Sequence, residues 1–125
     1  MKIYISLPIT GCDIEVQRSI AREQARFVGA IGHEAVNPFE VETAPRHYDD
    51  REQYAHFMGR DIEKLLLADA VLFCPGWEKS RGCRLERQAA HIYGIRCFFS
   101  PGQLIAYLNT QDSSINSAPF TESVL

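Results

Sequence analysis

Between residues 75 and 86 the chain reads Pro75-Gly76-Trp77-Glu78-Lys79-Ser80-Arg81-Gly82-Cys83-Arg84-Leu85-Glu86. Glycines, a serine, two arginines and two glutamates are crowded together there. Glycine and serine let backbone amides and a hydroxyl approach an anion, and arginine neutralises it. A glutamate set one turn into the segment that follows can serve as a nucleophile or as an acid and base. Helical side chains lean toward their N-terminus, which would aim Glu86 back at this turn. The alternative is a solvated glutamate paired with Arg84 or Arg87. A second carboxylate is out of place. Tyr54, Phe57 or Met58, Asp61 and Leu65 recur at steps of three and four, so Asp61 falls on or beside an apolar stripe. Carboxylates are seldom buried without a partner. Asp61 is therefore either functional or a boundary residue paired with an arginine such as Arg22 or Arg60.

Other loops offer groups that bind rather than react. Ser6, Pro8, Ile9, Thr10 and Gly11 follow the first apolar run and present hydroxyls and amides, with neither a GxGxxG pattern nor a Walker lysine. Ser80, Arg81 and Gly82 form a second possible cradle, with Gly76 in the same turn and Asn37 and Pro38 in another as further binding candidates. Arg81 at a helix N-terminus opposes the helix dipole, a local conflict that an anionic ligand would relieve. Tyr4 is a core residue or a catalytic one. Trp77 is a cover over a flat ligand or an interface anchor. Of the four histidines only His47, in a long loop, invites a site reading, against that of a solvated loop residue.

The elements that must position these groups alternate. A β-rich run at residues 3–5 precedes a helical pattern at 13–31, with Val16, Ile20, Phe27 and Ile31 inward, Asp13 as N-cap and Gly32 as stop. Ala35-Val36 is a second strand, ended by Asn37-Pro38. Residues 39–49 form a connection long enough to be a binding loop or lid. Asp50 and Gln53 have capping-box spacing before a second helix. Residues 70–74 read as a buried strand, 83–93 as a helix with Leu85, Ala89 and Ile92 inward, 95–99 as a strand and 103–109 as a short helix. This alternation predicts an α/β fold: one Rossmann- or flavodoxin-like three-layer sandwich with a mainly parallel sheet of four to five strands. Right-handed crossovers would gather residues 6–11, 37–39, 75–82 and 100–102 at one edge.

The chain has 125 residues, 46% of them hydrophobic, and a net charge of −3. That fits one core at residues 1–109 with a Ser/Thr/Asn-rich tail at 110–125. The acidic balance argues against a nucleic-acid polymer as partner. The first apolar run is too short for a signal peptide or membrane span, so no membrane partner and a cytoplasmic location are expected. Cys12, Cys74, Cys83 and Cys97 lack CxxC spacing, so reduced thiols rather than a zinc site are expected.

Three motifs together resemble a known family. They are Met1-Lys2-Ile3-Tyr4-Ile5-Ser6-x-Pro8-Ile9-Thr10-Gly11, then Gly32-His33-Glu34-x-Val36-Asn37-Pro38, then Gly76-Trp77-Glu78-Lys79-Ser80-Arg81-Gly82-x-x-x-Glu86. They resemble the bacterial and phage family called domain of unknown function 4406, over roughly residues 1–100. That family looks like a member of the nucleoside 2-deoxyribosyltransferase and nucleotide N-glycosidase superfamily. The superfamily hallmark Gly-Thr-x-x-Glu-x-Gly-x-Ala is matched here by Gly82-Cys83-x-x-Glu86-x-Gln88-x-Ala90. Cys83 replaces the threonine, Gln88 the second glycine, and Leu7 stands where a glycine is usual.

The resemblance implies that Glu86 is a nucleophile and that Asp61 handles the leaving base or the sugar. Tyr4 and Ser6 would lie near the nucleophile, and Ser6, Thr10, Gly11, Ser80 and Gly82 would hold a phosphate. The expected ligand is a nucleoside or nucleotide, the reaction cleavage or transfer at its C1′–N bond, with no cofactor or metal. A homodimer or larger homo-oligomer is implied. The alternatives are a non-catalytic nucleotide-binding or sensor module, favoured by Cys83 and Gln88, and an interaction protein of a phage or mobile element.

Overall fold

The computed structural model describes residues 1–40 and 43–113. Its elements are β1 (Lys2–Ser6), α1 (Ile14–Ala30), β2 (Glu34–Val36), α2 (Asp50–Leu66), β3 (Ala70–Phe73), a 3-10 turn (Trp77–Lys79), α3 (Arg81–Ile92), β4 (Arg96–Phe98) and α4 (Pro101–Ser113). The four strands pair in parallel in the order β2-β1-β3-β4. The fold is the flavodoxin-like α/β sandwich. Its sheet is all parallel, because every described connection between strands carries a helix.

Side chains alternate across the sheet. Ile3, Ala70, Leu72 and Phe98 pack with Val28 of α1 and Leu104 of α4 on one face. Tyr4, Val71 and Phe73 pack with Leu65 of α2 and Ala90 of α3 on the other. Covered on both faces, β3 is apolar at every position, as a central parallel strand must be. β1 is apolar and buried at its three central positions, Ile3, Tyr4 and Ile5, but ends in Ser6, which is also buried. The strand order reverses between β1 and β3. Ligands of open α/β sheets bind in the crevice at such a switch point, outside the carboxyl ends of the strands.

Several expectations need correction. Val16 is 52% exposed, and Gln17 is buried in its place, where its side-chain amide donates to the Pro8 carbonyl. The capping box of α2 is formed by Asp49 and Glu52, one residue before the expected pair. On α3 the buried face is Cys83, Glu86 and Ala90, while Leu85 and Ile92 are 50% and 63% exposed. α4 runs from Pro101 to Ser113, longer than the expected 103–109. The rest of the expected tail, residues 114–125, lies outside the described residues, as do residues 41 and 42 of the long loop.

Candidate functional site

Tyr4 and Ser6 lie two apart on β1, so both side chains point to the face covered by α2 and α3. Glu86 comes down from α3 to meet them. It is only 4% exposed. The Tyr4 hydroxyl donates to Glu86 Oε2 at 2.7 Å, and Ser6 Oγ donates to Oε1 at 2.6 Å. Hydrogen bonds to a charged group are worth about 1.5–3 kcal/mol each, and two of them offset much of the cost of burying a carboxylate. Burial still raises the pKa of Glu86 from its ordinary value, against the pull of Ser6 and Tyr4. Burial above all, with the Glu86 and Asp61 charges nearby, raises the Tyr4 hydroxyl well above its usual range. Tyr4 therefore stays a donor.

Asp61 arrives from α2 and is 9% exposed. Its Oδ1 is buried with no hydrogen-bond partner. Burial, and next the Glu86 charge, push its pKa up to about 7, against a smaller pull from Lys64. The two acids thus differ in kind. Glu86 has hydroxyl donors on both oxygens that favour its anion. Asp61 has an orphaned oxygen beside a negative neighbour, which favours its protonated form. Arg60, one of the two arginines considered as a partner for Asp61, pairs with Glu63 at 3.2 Å.

Both acids line one cavity of about 190 Å³. That is more than ten times the space one water needs. Leu7, Ile9 and Thr10 of the first loop and Pro38 of the second form one side. Residues 79–83 form the other, with Tyr54 and Met58 of α2 at the rim. Three of the four expected loops therefore converge. The described residues 100–102 and 43–49 do not line the cavity, and His47 packs edge-on against Tyr48.

The remaining candidates brace the site, and of these Ser80 and Gly82 also line the cavity. Gly76 has φ of +89°, and a Cβ there would lie 3.5 Å from Pro8 Cγ, so the first and third loops touch at this point. Asn37 Oδ1 accepts from the Phe39 amide and stabilises its own turn. Gly11 turns its loop and is exposed. Trp77 is half-buried and does not line the cavity; its ring packs against Phe73 and Phe99 at 5.3 and 5.2 Å. Ser80 caps α3 by accepting from the Cys83 amide at 3.2 Å. Gly82 lets that helix end approach α2, since a Cβ would meet Met58 Sδ at 3.3 Å.

Sequence reasoning missed Leu7, Tyr54, Met58, Lys79 and Cys83 as lining residues. Cys83 could have been found, because a helix that turns Glu86 inward also turns residue 83 inward, three positions earlier. Cys83 is buried, and burial raises its thiol pKa, so it stays a neutral thiol. Gln88 is exposed and does not line the cavity. Among the described residues no group of three His, Cys, Asp or Glu could hold a metal ion. No described helix is long and apolar enough to cross a membrane.

A solved 2-deoxyribosyltransferase from the psychrotolerant bacterium Bacillus psychrosaccharolyticus is similar to this chain, with a TM-score of 0.60 and 19% sequence identity. The match covers 78% of this chain and 69% of that one, and at such identity it shows a shared fold. No curated protein matches the sequence. The model of the family described as a domain of unknown function, DUF4406, matches residues 1–99, and the chain belongs to that family.

Proposed function

We propose that this protein cleaves or transfers at the C1′–N bond of a nucleoside or nucleoside 5′-monophosphate. The observation that carries the reading is the buried Glu86, held at both oxygens by Tyr4 and Ser6 and sharing a cavity with the unpartnered Asp61. A carboxylate fixed in this way is oriented for in-line attack rather than for solvation. Glu86 attacks C1′, and a bond forms between a carboxylate oxygen and that carbon. The C1′–N bond breaks, and its electron pair leaves with the base. Asp61 gives its proton to the departing base, a task suited to an acid with a pKa of about 7. Water then hydrolyses the glycosyl ester, or a second base takes the sugar. Tyr4 and Ser6 hold the nucleophile and support the carboxylate when it is released.

The likeness in fold to a 2-deoxyribosyltransferase supports the reaction class. A homodimer or larger homo-oligomer belongs to the same proposal. The outer face of α3 leaves Leu85 and Ile92 half or more exposed, seven residues apart on one stripe. The test is incubation of the protein with each nucleoside and nucleoside 5′-monophosphate, followed by chromatography for free base. The reading expects base from at least one of them, and none from the Glu86→Gln protein. No base from any substrate at high enzyme concentration rules out the hydrolase.

The rival reading is a non-catalytic nucleotide-binding module, and Cys83 in the cavity wall is the observation that favours it. In that case nucleotides would raise the melting temperature of wild-type and Glu86→Gln protein alike, with no product formed.

A further inference from the structure

Tyr54, Met58 and Asp61 stand on one stripe of α2, at steps of four and three, and all three line the cavity. The rise of a helix puts Tyr54 and Asp61 about 10 Å apart along its axis, with Met58 between them. The first turn of α3 backs this stripe at Gly82, where a Cβ would meet Met58 Sδ at 3.3 Å and the Tyr54 hydroxyl at 3.8 Å. Contact that close holds both side chains in place. Tyr54 is nevertheless 41% exposed, and its ring meets no other ring and no cation among the described residues. Phe57, the neighbouring exposed ring on α2, packs edge-on against His56 instead. Tyr54 therefore leaves an aromatic surface unpaired at the rim of the cavity.

A base that takes its proton from Asp61 lies against the inner end of this stripe. The rest of the base extends along Met58 toward Tyr54. Groups that could read its edge by hydrogen bonds are scarce there, because the Tyr4 and Ser6 hydroxyls both donate to Glu86. A thioether and an aromatic ring recognise a flat ligand by its face instead. A single-ring base at Asp61 covers Met58 and stops short of Tyr54. A fused two-ring base reaches further and gains the second contact. We infer that Tyr54 is a specificity-determining residue of this cavity, that the leaving base stacks on it, and that the substrate carries a purine rather than a pyrimidine. The inference rests on the N-glycosidase reading above, to which it adds the class of base and the residue that selects it.

The test is kcat/KM for purine and pyrimidine substrates, each as nucleoside and 5′-monophosphate, in wild-type, Tyr54→Ala and Tyr54→Phe protein. Stacking predicts that the wild type favours the purine by about fivefold or more. Tyr54→Ala should lose that preference, through KM more than kcat. Tyr54→Phe, which keeps the ring and drops the hydroxyl, should retain it. Equal use of purines and pyrimidines by the wild type overturns the inference and leaves the N-glycosidase reading standing. A purine preference that survives Tyr54→Ala, or that vanishes in Tyr54→Phe, overturns it in the same way. If no substrate releases base, the reaction reading fails, and titrations of free adenine and cytosine followed by saturation-transfer NMR decide the stacking. Adenine that binds more tightly than cytosine, and loses about fivefold or more in Tyr54→Ala, upholds it. Adenine that binds no more tightly than cytosine, or is indifferent to Tyr54→Ala, overturns it too. Tyr54 is partly exposed, so circular dichroism should show both variants folded.

Discussion

Asp61 carries the clearest pH signature in the molecule. Its pKa of about 7 lies far above the ordinary carboxylate range, so between the two the folded state binds more protons than the unfolded one. The stability this group contributes is complete below the ordinary carboxylate pKa and is lost as pH rises toward about 7. Asp61→Asn removes the buried charge. It should raise stability at pH 8 by on the order of 2 kcal/mol and change it little at pH 4, read by denaturant titration at both values. The same proton gives a kinetic prediction. Turnover by the wild-type protein should fall as pH rises through about 7, and Asp61→Asn should lose most of the activity on poor leaving bases. Tyr4 and Glu86 behave differently. Glu86→Gln should abolish turnover. Tyr4→Phe, which removes one of two donors to Glu86, should lower kcat about 10- to 100-fold with a smaller effect on KM. A Tyr4→Phe protein with unchanged kcat would show that the hydrogen bond is structural only.

At the scale of elements, α3 shows what the sequence revealed and what it hid. Its position and length followed from the gap between two apolar runs. Its inward face did not, because Leu85 and Ile92 look like core residues and Glu86 looks like surface. The helix turns the other way: its inward positions hold a carboxylate and a thiol, and two hydroxyls on β1 make that burial tolerable. Gln17 displaces Val16 from the interior of α1 in the same manner, to bond the loop that shapes the cavity. Apolar patterning fails at these places because polar residues that line or brace the cavity occupy core positions. The alternation of strands and helices, by contrast, was fully legible, since β1 and β3 have no competing pattern. The shifted capping box of α2 has a plainer cause: Asp49 and Asp50 are adjacent acids, and each has a suitable residue three positions on. The cap of α3 supports a prediction. Ser80→Ala should cost about 1 kcal/mol of stability, whereas Ser80→Asp should keep the cap. Unchanged stability of the Ser80→Ala protein would show that the cap contributes nothing.

For the whole molecule, the switch point between β1 and β3 places the site at the carboxyl edge of the sheet, with α2 and α3 above it. The exposed Leu85 and Ile92 lie on the outer face of one of those helices, away from Glu86. Introducing Leu85→Glu and Ile92→Glu together should reduce the mass seen by sedimentation to that of one chain while the circular dichroism spectrum persists. An unchanged mass greater than one chain would place the contact elsewhere. The central claim is that Glu86 attacks C1′. The most direct test is the intact mass of the full chain after incubation with 2-fluoro-sugar nucleosides and their 5′-monophosphates, which slow release of the ester. The account predicts one added glycosyl group per chain, mapped by digestion to Glu86, with one equivalent of base released. An adduct on another residue, or base released with no adduct on Glu86, would contradict it.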